Sequence, residues 1–276
     1  MTRLHVLGSG SRGNCLAVEH EGAILLIDAG FSAREIGRRA ETAGLDLDRV
    51  VGLALTHEHG DHARGARVLT KRLRVPVISS PGTWHRLRDR LNHCRHQPVG
   101  ITSLVEAGPF VIEACLTSHD ALEPVAFAVR ISDGNLLGVA YDVGRPTAAV
   151  RYLLREATAL VIEANHDEVM LRTSSYPATV RQRIAGSSGH LSNRATADLV
   201  AELVHPSLGT VVLAHLSERC NTPVQARETI EPVLRGAGFR GTLAVALQDR
   251  PLPAIDLGSP PRKRGGAGAP PLVLDV

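Results

Sequence analysis

The chain has 276 residues, of which 43% are hydrophobic and 21% are charged, and its formal net charge is +3. These values are typical of a globular protein with a substantial core, and the mild positive charge permits a phosphate-bearing partner without requiring one. Aromatic residues make up only 3% of the chain, which argues against a surface that binds nucleic acid by stacking bases on aromatic rings.

The cysteines and the N-terminus bear on the cellular compartment. The four cysteines are scattered and form no closely spaced pair, which argues against a cysteine zinc finger or a disulfide framework and favours a reducing compartment. The N-terminus has no apolar signal-peptide region, and no apolar run is long enough to span a membrane. We therefore expect a soluble cytoplasmic protein with no membrane partner.

The first third of the chain alternates short apolar segments with turns. Strands are predicted over residues 4–7, 15–18, 23–27, 50–55 and 75–78. A helix is predicted over 32–43, with Ser32 as N-cap, Glu35 completing a capping box and Gly44 ending it. Two further helical segments are predicted at 63–73 and from Gly82 onwards. His85, His93 and His96 have no ligand spacing, and we interpret them as surface residues.

The rest of the chain repeats this alternation. Strands are predicted over residues 110–116, 125–131, 136–140, 159–162, 210–213 and 243–247. Helices are predicted over residues 147–157, 177–185, 192–203 and 223–234. The pattern favours one domain of mixed α and β structure over residues 1–257. Residues 258–276 are rich in Gly, Pro and basic residues and are predicted to form a disordered tail.

Residues 56–62, with the sequence Thr-His-Glu-His-Gly-Asp-His, place three imidazoles and two carboxylates directly after a predicted buried strand. Neutral imidazole and carboxylate are the ligands that zinc and similar divalent metals prefer. His57 and His59, two apart in extended chain, can bind one ion from the same side, whereas Asp61 and His62 can turn toward a second. The stretch therefore predicts a binuclear metal site.

Four later strands also end in a residue that can bind metal or transfer a proton. They deliver His119, Asp142, Glu163 and His215. A sheet fixes the backbone while the loops that follow its strands present side chains, so this recurrence predicts one shared site. Asp28 also ends a strand, where it either orients an imidazole or caps a turn. The glycine-serine loop at residues 8–14 either approaches an anion or forms a simple turn.

These residues resemble the metallo-β-lactamase superfamily, since residues 56–62 match its HxHxDH signature and the later ligands follow in its order. Further matching stretches are residues 8–14, 118–120, 123–124, 163–167, 189–193, 215–218 and 221–223. Together they resemble the YycJ/WalJ-like branch of bacterial cytoplasmic metallohydrolases, whose members are described as 5′→3′ DNA exonucleases. The next nearest resemblance is to ribonuclease Z and its phosphodiesterase relatives.

The resemblance implies an α+β fold, the four-layer αβ/βα sandwich of two mixed β-sheets flanked by helices. It implies two divalent metal ions, zinc or manganese, as cofactors. The first ion would be bound by His57, His59 and His119, and the second by Asp61, His62 and His215, with Asp142 bridging both. Two such ions, about 3.5–4 Å apart, lower the pKa of a bridging water and hold the attacking and leaving oxygens of a displacement.

Phosphodiester cleavage also needs a proton donor for the leaving group. His190 is the candidate, with Glu163 holding its tautomer, and the ribonuclease Z-like enzymes carry a similar Glu–His pair. His166 is the competing candidate. Asp61 can both bind metal and accept a hydrogen bond from the nucleophile. The predicted phosphate contacts or supporting residues are Asn14, Asn165, His166, Ser192 and Asn193.

The sequence thus predicts a phosphodiesterase or nuclease whose substrate is nucleic acid, DNA in particular. The alternative is an ester, thioester or lactone hydrolase on the same metal site, and a third interpretation is an inactive metal-binding regulator. We find no separate cap domain and no extension of the tRNA-processing type. A long substrate would then be bound by the domain surface, by a homodimer or by Arg-rich segments such as residues 181–183.

Overall fold

Two mixed β-sheets organise the computed structural model, which describes residues 1–100 and 103–258. The first sheet contains β1 (Thr2–Gly8), β2 (Cys15–His20), β3 (Ala23–Ile27), β4 (Val50–Leu55), β5 (Val77–Ser79), β6 (His96–Pro98) and β14 (Ile255–Asp256). Its strand order is β14-β1-β2-β3-β4-β5-β6. The pairs from β14 to β3 are antiparallel, and those from β3 to β6 are parallel.

The second sheet is built in the same way. It contains β7 (Val105–Ala107), β8 (Phe110–Leu116), β9 (Val125–Ile131), β10 (Leu136–Ala140), β11 (Ala159–Glu163), β12 (Thr210–Ala214) and β13 (Thr242–Val245). Its strand order is β13-β12-β11-β10-β9-β8-β7. Pairs from β7 to β10 are antiparallel and pairs from β10 to β13 are parallel.

The helices connect these strands. They are α1 (Ala33–Thr42), α2 (Gly60–Ala63), α3 (Ala66–Leu73), α4 (Pro81–Leu91), α5 (Ala148–Leu154), α6 (Glu168–Thr173), α7 (Ala178–Ala185), α8 (Asn193–Glu202) and α9 (Pro223–Gly236). Among the residues that the structure describes, no helix is both long and apolar enough to cross a membrane.

Three clusters of buried apolar side chains pack the helices and the two sheets together in four layers. The central cluster lies between the sheets, where Val6 and Ile27 of the first sheet and Phe127 and Val161 of the second are buried together. A second cluster packs α1, α3 and α4 on the outer face of the first sheet, and a third packs α5, α8 and α9 on the outer face of the second. Burial of apolar surface drives this packing, and the predicted αβ/βα sandwich is confirmed.

Most of the predicted elements are confirmed, but one helix differs from its prediction, and four elements, namely β6, β7, β14 and α6, were not predicted. The helix expected over 63–73 begins only at Ala66, as α3, and Ala63 instead ends α2. Between them Gly65 packs closely against Phe31, where a Cβ atom would lie 2.3 Å from the carbonyl oxygen. Helix α6 was missed; Asp167 caps it by accepting hydrogen bonds from the backbone N–H groups of Val169 and Met170.

The predicted tail at residues 258–276 lies outside the described residues apart from Gly258. The carbonyl oxygen of Gly258 accepts a hydrogen bond from the side-chain amide of Asn135 at 2.9 Å. The predicted end of the domain at residue 257 stays a prediction.

Candidate metal-binding active site

A first histidine group forms where β4 and β8 end. His57 and His59 follow β4, and His119 follows β8. His57 Nε2 lies 3.0 Å from His59 Nδ1, which in turn lies 3.4 Å from His119 Nε2. The three ring nitrogens therefore face one another, although His119 is about sixty residues away in the sequence.

A second group combines α2 with the end of β12. Asp61 and His62 lie in α2, and His215 follows β12 directly. Asp61 Oδ2 is 3.5 Å from His62 Nε2 and 3.5 Å from His215 Nε2. The six residues that the sequence predicted for the two ions thus form two groups of three, each with its ligand atoms mutually within 4.8 Å.

Asp142, at the end of β10, lies between the two groups. Its Oδ2 atom is 2.8 Å from His62 Nε2 and 3.6 Å from His57 Nε2, and its Oδ1 atom is 3.8 Å from His119 Nε2. The Asp142 side chain is 3% exposed, so these contacts are shielded from bulk water. One carboxylate therefore reaches both groups, which is the position expected of a bridging ligand.

The donor set fits divalent metal ions. Zinc–nitrogen bonds of about 2.1 Å in tetrahedral geometry place neighbouring ligand atoms roughly 3.4 Å apart, close to the separations seen here. Buried His215 Nε2 and Asp142 Oδ2 have no hydrogen-bond partner among the described residues; the 2.8 Å contact of Asp142 Oδ2 with His62 lacks hydrogen-bond geometry. Two such unsatisfied atoms aimed into one centre are expected where a cation binds.

The other nitrogen of three of these histidines is held by a hydrogen-bond acceptor. His62 Nδ1 donates to Asp28 Oδ2 at 2.7 Å, His215 Nδ1 to Glu163 Oε1 at 2.8 Å, and His119 Nδ1 to the carbonyl oxygen of Gly189 at 3.2 Å. A proton fixed on Nδ1 leaves the Nε2 lone pair free to bind metal. Asp28 thus orients an imidazole, the first of its two interpretations.

Glu163 also holds His190, as the sequence predicted. Glu163 Oε1 lies 2.8 Å from His190 Nδ1, and Oε2 accepts hydrogen bonds from the backbone N–H groups of Val143 and Leu191. Glu163 is fully buried, whereas the His190 side chain is 22% exposed. A buried carboxylate therefore fixes Nδ1 of His190, while the ring remains partly accessible to solvent.

Three residues of the site have left-handed backbone conformations, which are rare for residues other than glycine. The φ angles are 60° at Asp28, 48° at Asp142 and 56° at His215. Each costs about 1–2 kcal/mol relative to the usual conformation. Two neighbours hold the backbone of His215 in this conformation. Ser9 Oγ accepts a hydrogen bond from the N–H group of His215, and the Asn165 side chain donates one to its carbonyl oxygen. Strain of this kind is typical of functional sites.

Burial and neighbouring charges set the protonation of the site. Burial, with the nearby His62, holds the pKa of His57 well below its usual value, which favours the neutral ring that binds metal. Burial alone would raise the pKa of the Asp142 carboxyl, but His215 and His62 hold it well below its usual range. The pKa of Glu163 is likewise lowered to about 2, because His190 outweighs the effect of burial.

The loop between β1 and β2 supports the second ligand group through hydrogen bonds. The backbone N–H of Asn14 donates to the carbonyl oxygen of Asp61 at 2.8 Å, and its side-chain amide lies 3.1 Å from His62 Nε2. Asn14 is fully buried. Ser9, which sequence reasoning missed, donates to Asn14 Oδ1 and accepts from the N–H of His215. The glycine-serine loop therefore positions ligands on two different elements.

The other predicted substrate contacts are also largely buried. Asn165 donates to the carbonyl oxygen of His215, and Asn193 pairs with Asn221 through reciprocal hydrogen bonds. Ser192 caps α8 and donates to Glu168. His166 is 2% exposed, and its Nδ1 atom has no partner among the described residues. These side chains lie behind the ligands and not on an open surface.

The loop that carries His119 is fastened from both sides. On one side, Glu58 accepts a hydrogen bond from the backbone N–H group of Leu122 at 2.9 Å. On the other side, Ser118 Oγ donates to the carbonyl oxygen of Ser187 at 2.5 Å. His119 thus depends on contacts with both halves of the chain. His85, His93 and His96 belong to none of the candidate metal groups found among the described residues.

Together, the two mixed sheets and this cluster of histidines and carboxylates define a metal-dependent hydrolase. The family model of the metallo-beta-lactamase superfamily matches residues 8–133. Exodeoxyribonuclease YycJ of Bacillus anthracis is 32% identical over 237 residues, covering 85% of this chain and 89% of that protein. Exodeoxyribonuclease WalJ of Streptococcus pneumoniae is 29% identical over 237 residues, covering 82% and 85%.

Among solved structures, the metallo-beta-lactamase fold protein YhfI of Bacillus subtilis superposes with a TM-score of 0.68 at 14% identity, covering 91% of this chain and 99% of that one. This likeness supports the fold. The chain therefore belongs to the metallo-beta-lactamase superfamily and, within it, to the YycJ-like hydrolases.

Proposed function

We propose that this protein is a nuclease that uses two divalent metal ions, zinc or manganese, to cleave phosphodiester bonds of DNA. The observation that carries this proposal is the position of Asp142 between two adjacent groups of three potential ligands. A single carboxylate shared in this way suits two adjacent ions, and two adjacent ions suit the in-line displacement at phosphorus. The names of the two exodeoxyribonuclease relatives support DNA as the substrate.

In this proposal, His57, His59 and His119 would hold the first ion and Asp61, His62 and His215 would hold the second, with Asp142 available to both. When bound, the ions supply Lewis-acid stabilisation of the phosphate and activate a water as the nucleophile. The Asp61 side chain is 23% exposed, so it can also accept a hydrogen bond from the attacking water. That hydrogen bond would orient the water toward phosphorus.

His190 acts as the general acid. With Nδ1 fixed by the Glu163 carboxylate at 2.8 Å, a protonated imidazole offers its second proton at Nε2 to the departing alkoxide. The Glu163 carboxylate stabilises the imidazolium form and prevents the ring from turning. Glu163 is therefore a positioning residue for His190 and, through its 2.8 Å contact with Nδ1, for His215.

The burial of the five predicted substrate contacts favours a supporting function for them. Asn14, Asn165 and Asn193 are at most 4% exposed and their amides are engaged within the protein. We propose that they keep the ligand loops in place and that the phosphates of the substrate contact other, more exposed side chains. His166 is also buried, which favours His190 as the proton donor.

The proposal is tested by a substrate panel. Purified protein supplied with Mn²⁺ or Zn²⁺ is assayed on bis-p-nitrophenyl phosphate, on duplex DNA labelled at the 5′ or the 3′ end, and on a lactone and a thioester. We expect metal-dependent cleavage of both phosphodiesters, and release of short products from the 5′ end if cleavage runs 5′→3′. Turnover of lactone or thioester without phosphodiester cleavage would replace the nuclease with the alternative hydrolase.

Localisation and assembly complete the proposal. We propose that the protein is cytoplasmic, where a DNA substrate is available. We also propose that it forms a homodimer, which would extend the surface that binds a long substrate. Sedimentation of the protein with and without an oligonucleotide tests the second point: a single species at the mass of the 29.4 kDa chain would exclude the dimer.

A further inference from the structure

A basic segment of the chain crosses the rim of the active site. Residues 169–197 contain four arginines, namely Arg172, Arg181, Arg183 and Arg194, and no Asp or Glu. The segment therefore has a local formal charge of +4, compared with a net charge of +3 for the whole chain. It contains α7, which buries none of its residues, and it also contains His190.

One side of the basic segment contacts the first histidine group. The guanidinium of Arg183 binds Asp120 Oδ2 through two nitrogens, at 2.6 and 3.0 Å. The other oxygen of Asp120 lies 3.2 Å from His119 Nε2. The Arg183 side chain is 73% exposed. Its guanidinium therefore reaches solvent, and only the Asp120 carboxylate separates it from the proposed metal site.

The other side of the basic segment reaches the loop that follows His215. The guanidinium of Arg219 lies over the ring of Tyr176 at 5.3 Å, and Arg219 is exposed. The positive surface therefore runs from the His119 loop, past His190, to the His215 loop. It passes both ligand groups.

The arginines of this surface differ in what they bind. Arg181 donates to the carbonyl oxygens of Ser174 and Tyr176, so it stabilises the segment itself. Arg172 and Arg194 are exposed and have no partner among the described residues. A guanidinium without an internal partner is available for an external anion, and its planar fork suits phosphate oxygens.

We propose that the basic segment, together with Arg219, binds the phosphate backbone of the nucleic-acid strand on either side of the scissile bond. This inference rests on the proposed nuclease function and adds the surface that binds the strand. Backbone contacts of this kind position a substrate without reading its bases, which agrees with an aromatic content of 3%. The surface should therefore bind strands with little sequence preference.

The test compares two double variants of the full chain that remove the same charge. Arg172→Ala with Arg194→Ala removes two arginines of the basic segment that have no structural partner. The matched control, Arg86→Ala with Arg90→Ala, removes two exposed arginines from α4 in the other half of the molecule. Dissociation constants for a labelled oligonucleotide are measured over a range of salt concentrations, with thermal melting as a check of folding.

For the basic-segment variant we expect weaker binding and a dependence of log K on log salt that is shallower by about 1.4 to 1.8, because each lost phosphate contact contributes about 0.7 to 0.9. The control should keep the wild-type slope, and Arg172→Lys with Arg194→Lys should restore it. Unchanged binding by the basic-segment variant, or equal losses in both double variants, would overturn the proposal.

Hydrolysis of bis-p-nitrophenyl phosphate separates this inference from the proposed function. The loss of activity in the basic-segment variant should be larger on DNA than on this small substrate, which carries no neighbouring phosphates. If the wild type binds the oligonucleotide through the basic segment but cleaves no phosphodiester, the nuclease function fails while the binding surface stands. If the wild type binds no nucleic acid at all, the binding surface fails.

Discussion

The carboxylate of Asp28 accepts a hydrogen bond from Nδ1 of His62 at 2.7 Å, between two side chains that are both fully buried. This contact joins the end of β3 to α2 and directs His62 Nε2 toward Asp61 and Asp142. A supporting carboxylate of this kind fixes the ring and increases its basicity as a ligand.

Replacing Asp28 tests this support. We expect Asp28→Asn to lower the affinity for one metal ion by about 10–100-fold while the other ion still binds. Competition with a chromophoric chelator measures both affinities. Asp46→Asn is the control, since Asp46 only caps an exposed turn. If the two variants bind both ions equally well, Asp28 does not support the site.

Asp61→Ala removes a proposed ligand and the acceptor for the attacking water. We expect loss of hydrolysis and fewer ions per chain, because His62 and His215 would then hold the second ion with Asp142 alone. Elemental analysis of the purified variant gives the stoichiometry. Full activity with two ions retained would refute the assignment of Asp61.

His190→Ala should leave the metal content intact and slow DNA cleavage by roughly 10²–10⁴-fold, because the leaving alkoxide loses its proton donor. The loss should be smaller on bis-p-nitrophenyl phosphate, whose leaving group departs without a proton. Single-turnover rates on both substrates measure the difference. Equal losses on the two substrates would argue against general-acid catalysis by His190.

The sequence predicts more of this site than is usual because its ligands follow buried strands. The strand before His57 is short, apolar and buried, so the motif that follows it lies at the end of the sheet. The position of His119 after a strand predicts that it joins the shared site, but its grouping with His59, at 3.4 Å, around one ion was implied only by the family resemblance.

Supporting contacts were harder to predict. Ser9 and Asn14 belong to a loop whose sequence is compatible with a plain turn, yet they hold Asp61 and His215 in place. The contact of Glu58 could not be predicted, because its partner is the backbone N–H group of Leu122, which carries no sequence signal. Residue type identified the side chains that could bind metal, but it did not identify the contacts that these side chains make with backbone groups of the ligand loops.

Two glycines near the motif should respond differently to alanine. A Cβ atom at Gly30 would lie 1.7 Å from the carbonyl oxygen of Asp61, so Gly30→Ala should displace α2, lower metal affinity and destabilise the fold. At Gly60, inside the motif, a Cβ atom would meet nothing within 4 Å. Thermal melting and metal titration should find Gly60→Ala close to wild type; similar damage in both would contradict this packing.

Glu35 gives a pH-dependent prediction away from the metal site. Hydrogen bonds from Arg38 and Arg39 lower its pKa from 4.5 to about 2. A lowered carboxyl pKa contributes stability above 4.5, and this contribution is lost as the pH falls toward 2. The difference in unfolding free energy between wild type and Glu35→Gln should therefore shrink over that range in urea titrations. A constant difference would contradict the paired carboxylate.

The central claim is that two ions held around Asp142 enable phosphodiester cleavage. The most direct test titrates metal-free protein with Mn²⁺ or Zn²⁺ and follows bound metal and cleavage of 5′-labelled DNA in the same samples, for wild type and Asp142→Ala. We predict that wild-type activity appears as two ions bind per chain and that the variant neither holds both ions nor cleaves. Cleavage without metal, or full activity of Asp142→Ala, would contradict the claim.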